Sequence, residues 1–105
     1  MTTSRVEIEV PEAVDVRVDE EALTVELSDA RSISVPLAWY PRLLHGLPQE
    51  RQNWRLIGRG EGIHWEDLDE DVSVEGLLAG RRSGESQKSL QRWLDSRAGT
   101  ERSER

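Results

Sequence analysis

The chain has 105 residues, of which 35% are hydrophobic and 33% charged, with a formal net charge of −7 and neither cysteine nor phenylalanine. That length suits one domain whose modest core comes from Val, Leu, Ile, Ala and Trp, and without cysteine there is no disulfide, thiolate zinc site or cysteine nucleophile. Residues 1–80 hold 7 Arg and no Lys against 17 acids, giving −10, whereas residues 81–105 hold 7 basic residues against 4 acids, giving +3; an acidic body repels phosphate backbones, so no direct nucleic-acid binding is expected.

The N-terminal MTTSRVEIEV lacks the basic-then-apolar progression of a secretion signal, and no apolar run approaches the ~18 residues of a membrane helix. A cytoplasmic protein without membrane contact is the expectation. VDVRV at 14–18 and ALTVEL at 22–27 alternate apolar with mostly polar residues, and RSISV comes next at 31–35. Period two over short runs predicts strands, and polar links at 19–21 and 28–30 predict an antiparallel meander. Leu37, Tyr40, Leu43 and Leu44 then share a helical spacing, with Pro41 tolerable only in a first turn. The helix is predicted from about Trp39 to Gly46, the glycine serving as a left-handed cap, with one further turn from Pro48 to about Asn53.

WRLIGR at 54–59 and GIHW at 62–65 read as a hairpin across Gly58, Gly60 and Gly62, residues that accept a positive φ. An acidic loop at 66–71 leads to a short helix at VEGLLA, capped by Asp71 or Ser73 and ended by Gly80. From Arg81 the texture becomes polar and basic, with Leu90, Trp93 and Leu94 at i, i+3 and i+4 on a segment of about three helical turns. The predicted class is α+β: a small antiparallel sheet made of a three-stranded N-terminal meander plus a later hairpin, two short helices, and a C-terminal tail that is helical or disordered. Residues 1–80 form the domain and 81–105 the tail.

GRGEGIHWEDLDEDVS at 58–73 is the chemically densest stretch, and most of its site readings fail on spacing. Ile63 stands where a dinucleotide loop needs its third glycine, and no Lys-Ser/Thr pair directly follows the glycines. Asp67, Asp69 and Asp71 fit the opening of a calcium loop, but Val72 replaces its turn glycine and Leu78 its bidentate glutamate. No metal and no cofactor are expected. His64 beside Glu66 is the one sequence-local acid/base pair, and strand alternation turns both away from a buried Trp65. His45 falls at a helix end, where a cation is favoured. Core filling claims most of Trp39, Tyr40, Trp54 and Trp65, while exposed rings with Arg42, Arg55 and Arg59 would make a recognition surface. The stripe Leu90, Trp93, Leu94 either docks back on the body, stays disordered, or folds against a partner. The candidate partner contacts are therefore Leu90, Trp93, Leu94, Trp39, Arg42 and Arg59.

In RSISVPLAWYPRLLHGLPQERQNWRLIGRGEGIHWEDLDEDVSVEGLLAG, residues 31–80, the chain resembles the bacterial family called domain of unknown function 2442. WYPRLL at 39–44, PQER at 48–51 and GIHWEDLDEDVSVEGLL at 62–78 carry the resemblance, and residues 12–30 fit its opening hairpin. The resemblance implies an α+β fold of few strands, no settled catalytic motif, and members that stand alone or precede helix-turn-helix domains, many encoded beside a small protein in pairs resembling toxin–antitoxin modules. Ala30 departs from the glycine common in that turn among similar proteins.

These readings favour a non-enzymatic, antitoxin-like interaction module whose partner is a small basic protein such as a toxin encoded by a neighbouring gene, with homo-oligomerisation as a further option. The alternatives are a small-ligand-binding or enzymatic domain around His64 and Glu66, or a regulatory domain lacking a DNA-binding extension.

Overall fold

The computed structural model describes residues 9–102, and side chains through residue 98; the outer ends of the predicted domain and tail, 1–8 and 103–105, lie outside the described residues. Strands β1 (Ala13–Val18), β2 (Ala22–Leu27) and β3 (Ser32–Pro36) form an antiparallel sheet in that order. Asp19 makes the first reversal, its Oδ1 accepting the backbone N–H groups of Glu21 and Ala22 at 2.7 Å each. The second reversal places Ala30 at φ 76°, a left-handed conformation that a β-carbon disfavours by about 1–2 kcal/mol.

A 3₁₀ turn at Leu37–Trp39 leads into α1 (Pro41–His45) and α2 (Pro48–Gln52), each starting on a proline whose missing N–H is harmless there. The predicted single helix is thus split at Tyr40. Gly46 corrects another expectation. It is extended, at φ −73° and ψ 160°, and its contact is with Leu68: a β-carbon would stand 2.8 Å from Leu68 Cδ1, so the buried leucine would have to shift. The carbonyls at the end of α1 are instead met by Arg51, a side chain only 9% exposed that donates to Leu43 O at 2.8 Å and Leu44 O at 2.7 Å.

Strands β4 (Trp54–Ile57), β5 (Gly62–Trp65) and β6 (Glu70–Ser73) form a second antiparallel sheet. The predicted later hairpin is therefore three-stranded, because the end of the acidic loop is an edge strand. Gly58 and Gly60 supply positive φ in its first turn, and Gly60 also lets the hairpin tip touch β1, accepting the Ala13 N–H at 2.7 Å. Ser73 caps α3 (Val74–Leu78) by accepting the Gly76 N–H at 2.9 Å, and Gly80 ends it at φ 73°. The inner faces of both sheets and the short helices share one core, in which Leu23, Val25, Leu37, Leu43, Ile63, Trp65, Leu68 and Val74 are fully buried. The tail is helical: α4 runs over Gln87–Arg102. No helix among the described residues is long and apolar enough to cross a membrane.

Candidate functional site

The second sheet carries ionisable groups on both faces. On the outer face His64 pairs across the strands with Asp71, its Nδ1 2.5 Å from Asp71 Oδ1, while its Nε2 lies 2.9 Å from Glu66 Oε1. The hydrogen bond to Asp71 raises the His64 pKa against some loss of hydration, with Glu66 adding to it. Both carboxylates are well exposed, whereas the His64 side chain between them is largely covered. With an acid at each nitrogen the arrangement holds an imidazolium, a cross-strand tie. Among the described residues no group of three or more His, Cys, Asp or Glu is placed to hold a metal ion.

The inner face holds a group that the sequence reading left in a solvated loop. Glu70 pairs across the sheet with Trp65 and faces a cleft of about 190 Å³ lined by Tyr40, Ser73, Gly76 and the segment Arg81–Gly84. Among the described residues no hydrogen bond reaches its carboxyl. Burial pushes its pKa up to about 7; Arg42 pulls the other way, and Glu85, Asp71 and Asp69 add to the rise. Tyr40 is raised too, by burial and then by Glu70. The alternation of Val72 and Val74 was the available signal: carried back two residues, it puts Glu70 on the core face.

The cleft's outer wall is a strap that joins the body to α4. Tyr40 donates its hydroxyl to Arg81 O at 3.0 Å, the Ser83 N–H donates to Trp39 O at 3.0 Å, and Arg82 lies over the Trp39 ring, 4.7 Å from its centroid. Arg42 pins the next turn. Its Nε and Nη2 donate to Glu85 at 2.9 and 2.6 Å, while Nη1 reaches Leu68 O at 3.3 Å and Asp69 O at 3.4 Å. The bond from Arg42 is the main reason the Glu85 pKa is lowered, against burial and with help from the Ser89 hydroxyl. Farther along, Arg42 and Arg97 lie over the Trp93 ring at 5.0 and 4.7 Å, and Arg97 donates to Glu50 at 2.8 Å. Burial works against ionisation of Glu50, but Arg97 and the Leu47 N–H hold its pKa below the ordinary value.

Of the residues singled out in the sequence, Trp39, Arg42 and Trp93 are therefore gathered at this seam. Trp39 and Trp93 are half-buried against the core, and Leu90 and Leu94 are half-buried on α4. Arg59 stands exposed in the β4–β5 turn, with no contact joining it to that cluster among the described residues. The residues missed were Glu70, which the alternation of Val72 and Val74 marks, and Glu50, Glu85 and Arg97, single charges with no local pattern to mark them. A larger cleft of about 450 Å³ lies elsewhere, between the β1–β2 turn and α2, lined by Val18, Asp19, Glu20, Glu21, Pro48, Arg51 and Gln52.

A family profile described as "Protein of unknown function (DUF2442)" matches residues 13–83 of this 105-residue chain. The chain belongs to this family. Two solved structures are similar to this DUF2442 protein. One, a protein of unknown function from Rhodospirillum rubrum, is 28% identical with a TM-score of 0.63, over 73% of this chain and 95% of that one. The other, an uncharacterized protein from Chromobacterium violaceum, is 26% identical with a TM-score of 0.59, over 77% and 74% respectively. No curated protein matches. The family match ends at residue 83, between the two halves of the seam: Tyr40, Arg42, Glu50 and Glu70 belong to the DUF2442 body, whereas Glu85, Trp93 and Arg97 belong to the C-terminal segment beyond it.

Proposed function

We propose that this DUF2442 protein is a non-enzymatic interaction module, antitoxin-like, whose acidic body receives a basic amphipathic helix from a small protein partner in the cytoplasm. The observation that carries the reading is the occupant of the seam. A basic helix from beyond the family match sits on the body through the Trp93 ring and the Arg97–Glu50 pair, and the strap before it is held by the pair between Glu85 and Arg42 of the body. Such contacts select a helix by charge and ring position, and any helix with the same pattern competes for them. The formal charge of −10 over residues 1–80 against +3 over residues 81–105 supports this reading, and a basic partner encoded by an adjacent gene fits the same rule. His64, the other centre considered, has both ring nitrogens committed to carboxylates, an arrangement suited to holding a proton and unsuited to shuttling one.

The test uses the full chain carrying Trp93→Ala, which loosens the resident helix, titrated with a synthetic peptide of residues 84–102. Amide shifts at Arg42, Glu50 and Leu68 are expected, and Glu50→Lys in the same chain should abolish them. A peptide that shifts nothing, or shifts only the cleft between Glu20 and Gln52, contradicts the reading.

A further inference from the structure

Glu70 has a position that neither the family match nor the interaction reading explains. It is a half-buried carboxyl without a hydrogen bond among the described residues, on the inner face of an edge strand, and the wall in front of it is the strap that leads to α4. We propose that Glu70 is a proton-controlled latch for the C-terminal helix: with its carboxyl neutral the strap Arg81–Glu85 closes over it, and on ionisation the strap and α4 lift away.

The surroundings give the direction. From the 3₁₀ turn and α1, Tyr40 presents a hydroxyl already donated to Arg81 O, and Arg42 a guanidinium already bonded twice to Glu85. On its own strand and turn stand Asp69, which shares Arg42 at 3.8 Å, and Asp71, which turns to His64 on the other face. The strap contributes Arg81, Arg82 and Glu85, with Arg82 laid over Trp39. The remaining neighbours, Val72, Ser73 and Gly76, carry no charge. A negative charge on Glu70 therefore enters a poorly hydrated cleft next to three other carboxylates, and the cation it feels most, Arg42, is committed to Glu85 of the strap. Opening the strap hydrates Glu70 and relieves this; keeping it closed requires the proton.

Linkage gives the sign. A carboxyl whose pKa rises from 4.5 to about 7 in the closed state makes closure progressively less favourable as pH climbs through that interval. Glu50 and Glu85, lowered in the closed state, act oppositely and release the helix only as pH falls below the ordinary carboxylate range. Docking is thus strongest in the mildly acidic window and weakens toward alkaline pH. Because Glu70 remains partly hydrated, the change in the closed-to-open ratio between pH 6 and pH 8 is on the order of 3- to 10-fold.

Two measurements on the 105-residue chain test this. Hydrogen-exchange protection of α4, corrected for the intrinsic effect of pH, should fall 3- to 10-fold from pH 6 to pH 8 while β2 stays constant, and Glu70→Gln should hold α4 at its pH 6 level throughout. A flat profile in the parent, or an undiminished pH response in Glu70→Gln, overturns the proposal. If Glu70→Gln does not fold, the reciprocal experiment decides: Trp93→Ala loosens α4 without touching β6, and carboxyl NMR should show the Glu70 midpoint moving down toward that of an ordinary glutamate. An unmoved midpoint overturns it equally.

Discussion

The body and the C-terminal helix are held by different forces. In the body, Leu23, Val25, Ile63, Trp65 and Leu68 are fully buried, and the polar atoms that reach the interior are answered by backbone: Trp65 Nε1 donates to Arg51 O at 2.9 Å, and the Arg51 guanidinium to two carbonyls. Among its described side chains the helix α4 contributes the half-buried apolar residues Leu90, Trp93, Leu94 and Ala98, and its docking rests on the Arg97–Glu50 pair, on Trp93 beneath two guanidiniums, and on the Arg42–Glu85 pair that holds the strap before it. Apolar burial is insensitive to modest changes of pH and salt, whereas charge pairs near the surface respond to both. The helix can therefore leave under conditions that do not disturb the body.

The sharpest way to break this contrast is at Trp65. It fills the centre of the core at 0% exposure, so Trp65→Ala should cost ~3–5 kcal/mol of global stability by denaturant unfolding. An unchanged midpoint would mean that the core is elsewhere. Arg51→Met comes next, with an expected loss of ~2–3 kcal/mol, because two carbonyls at the end of α1 lose their only side-chain donor among the described residues. The seam should behave differently: Glu85→Gln removes the charge that Arg42 grips, and should weaken docking by ~1–2 kcal/mol. That loss should appear as faster exchange in α4 with little shift of the global midpoint. Ala30→Gly runs the other way. Relief of the left-handed strain at φ 76° should raise stability by ~1 kcal/mol, seen as a higher melting temperature.

Much of the body was legible because its strands alternate cleanly and its turns carry their own chemistry. Leu23, Val25 and Leu27 point inward as period two requires, with Ser73 capping α3 and Gly80 ending it. Strand β6 was hidden because Glu70 and Asp71 read as solvent-seeking, although Val72 continues the inward pattern. Tertiary packing overrode composition there. Gly46 was misread for a related reason: the sequence shows a glycine after a helix, but only the packed fold reveals Leu68 pressing against it. The seam was half visible. An amphipathic stripe announces Trp93, but nothing in a linear pattern says that Arg42 and Glu50 wait for it on the body.

Native-state hydrogen exchange at low and at roughly 0.5 M salt separates the two forces, since that salt concentration shortens the screening length to about 4 Å. If the body is held by burial and the helix by charge, α4 amides exchange through an opening of lower free energy than β2 and β5, and added salt lowers protection in α4 alone. If α4 shares the global protection of β2 and responds to salt no more than the core does, the helix is part of the core and the account is wrong.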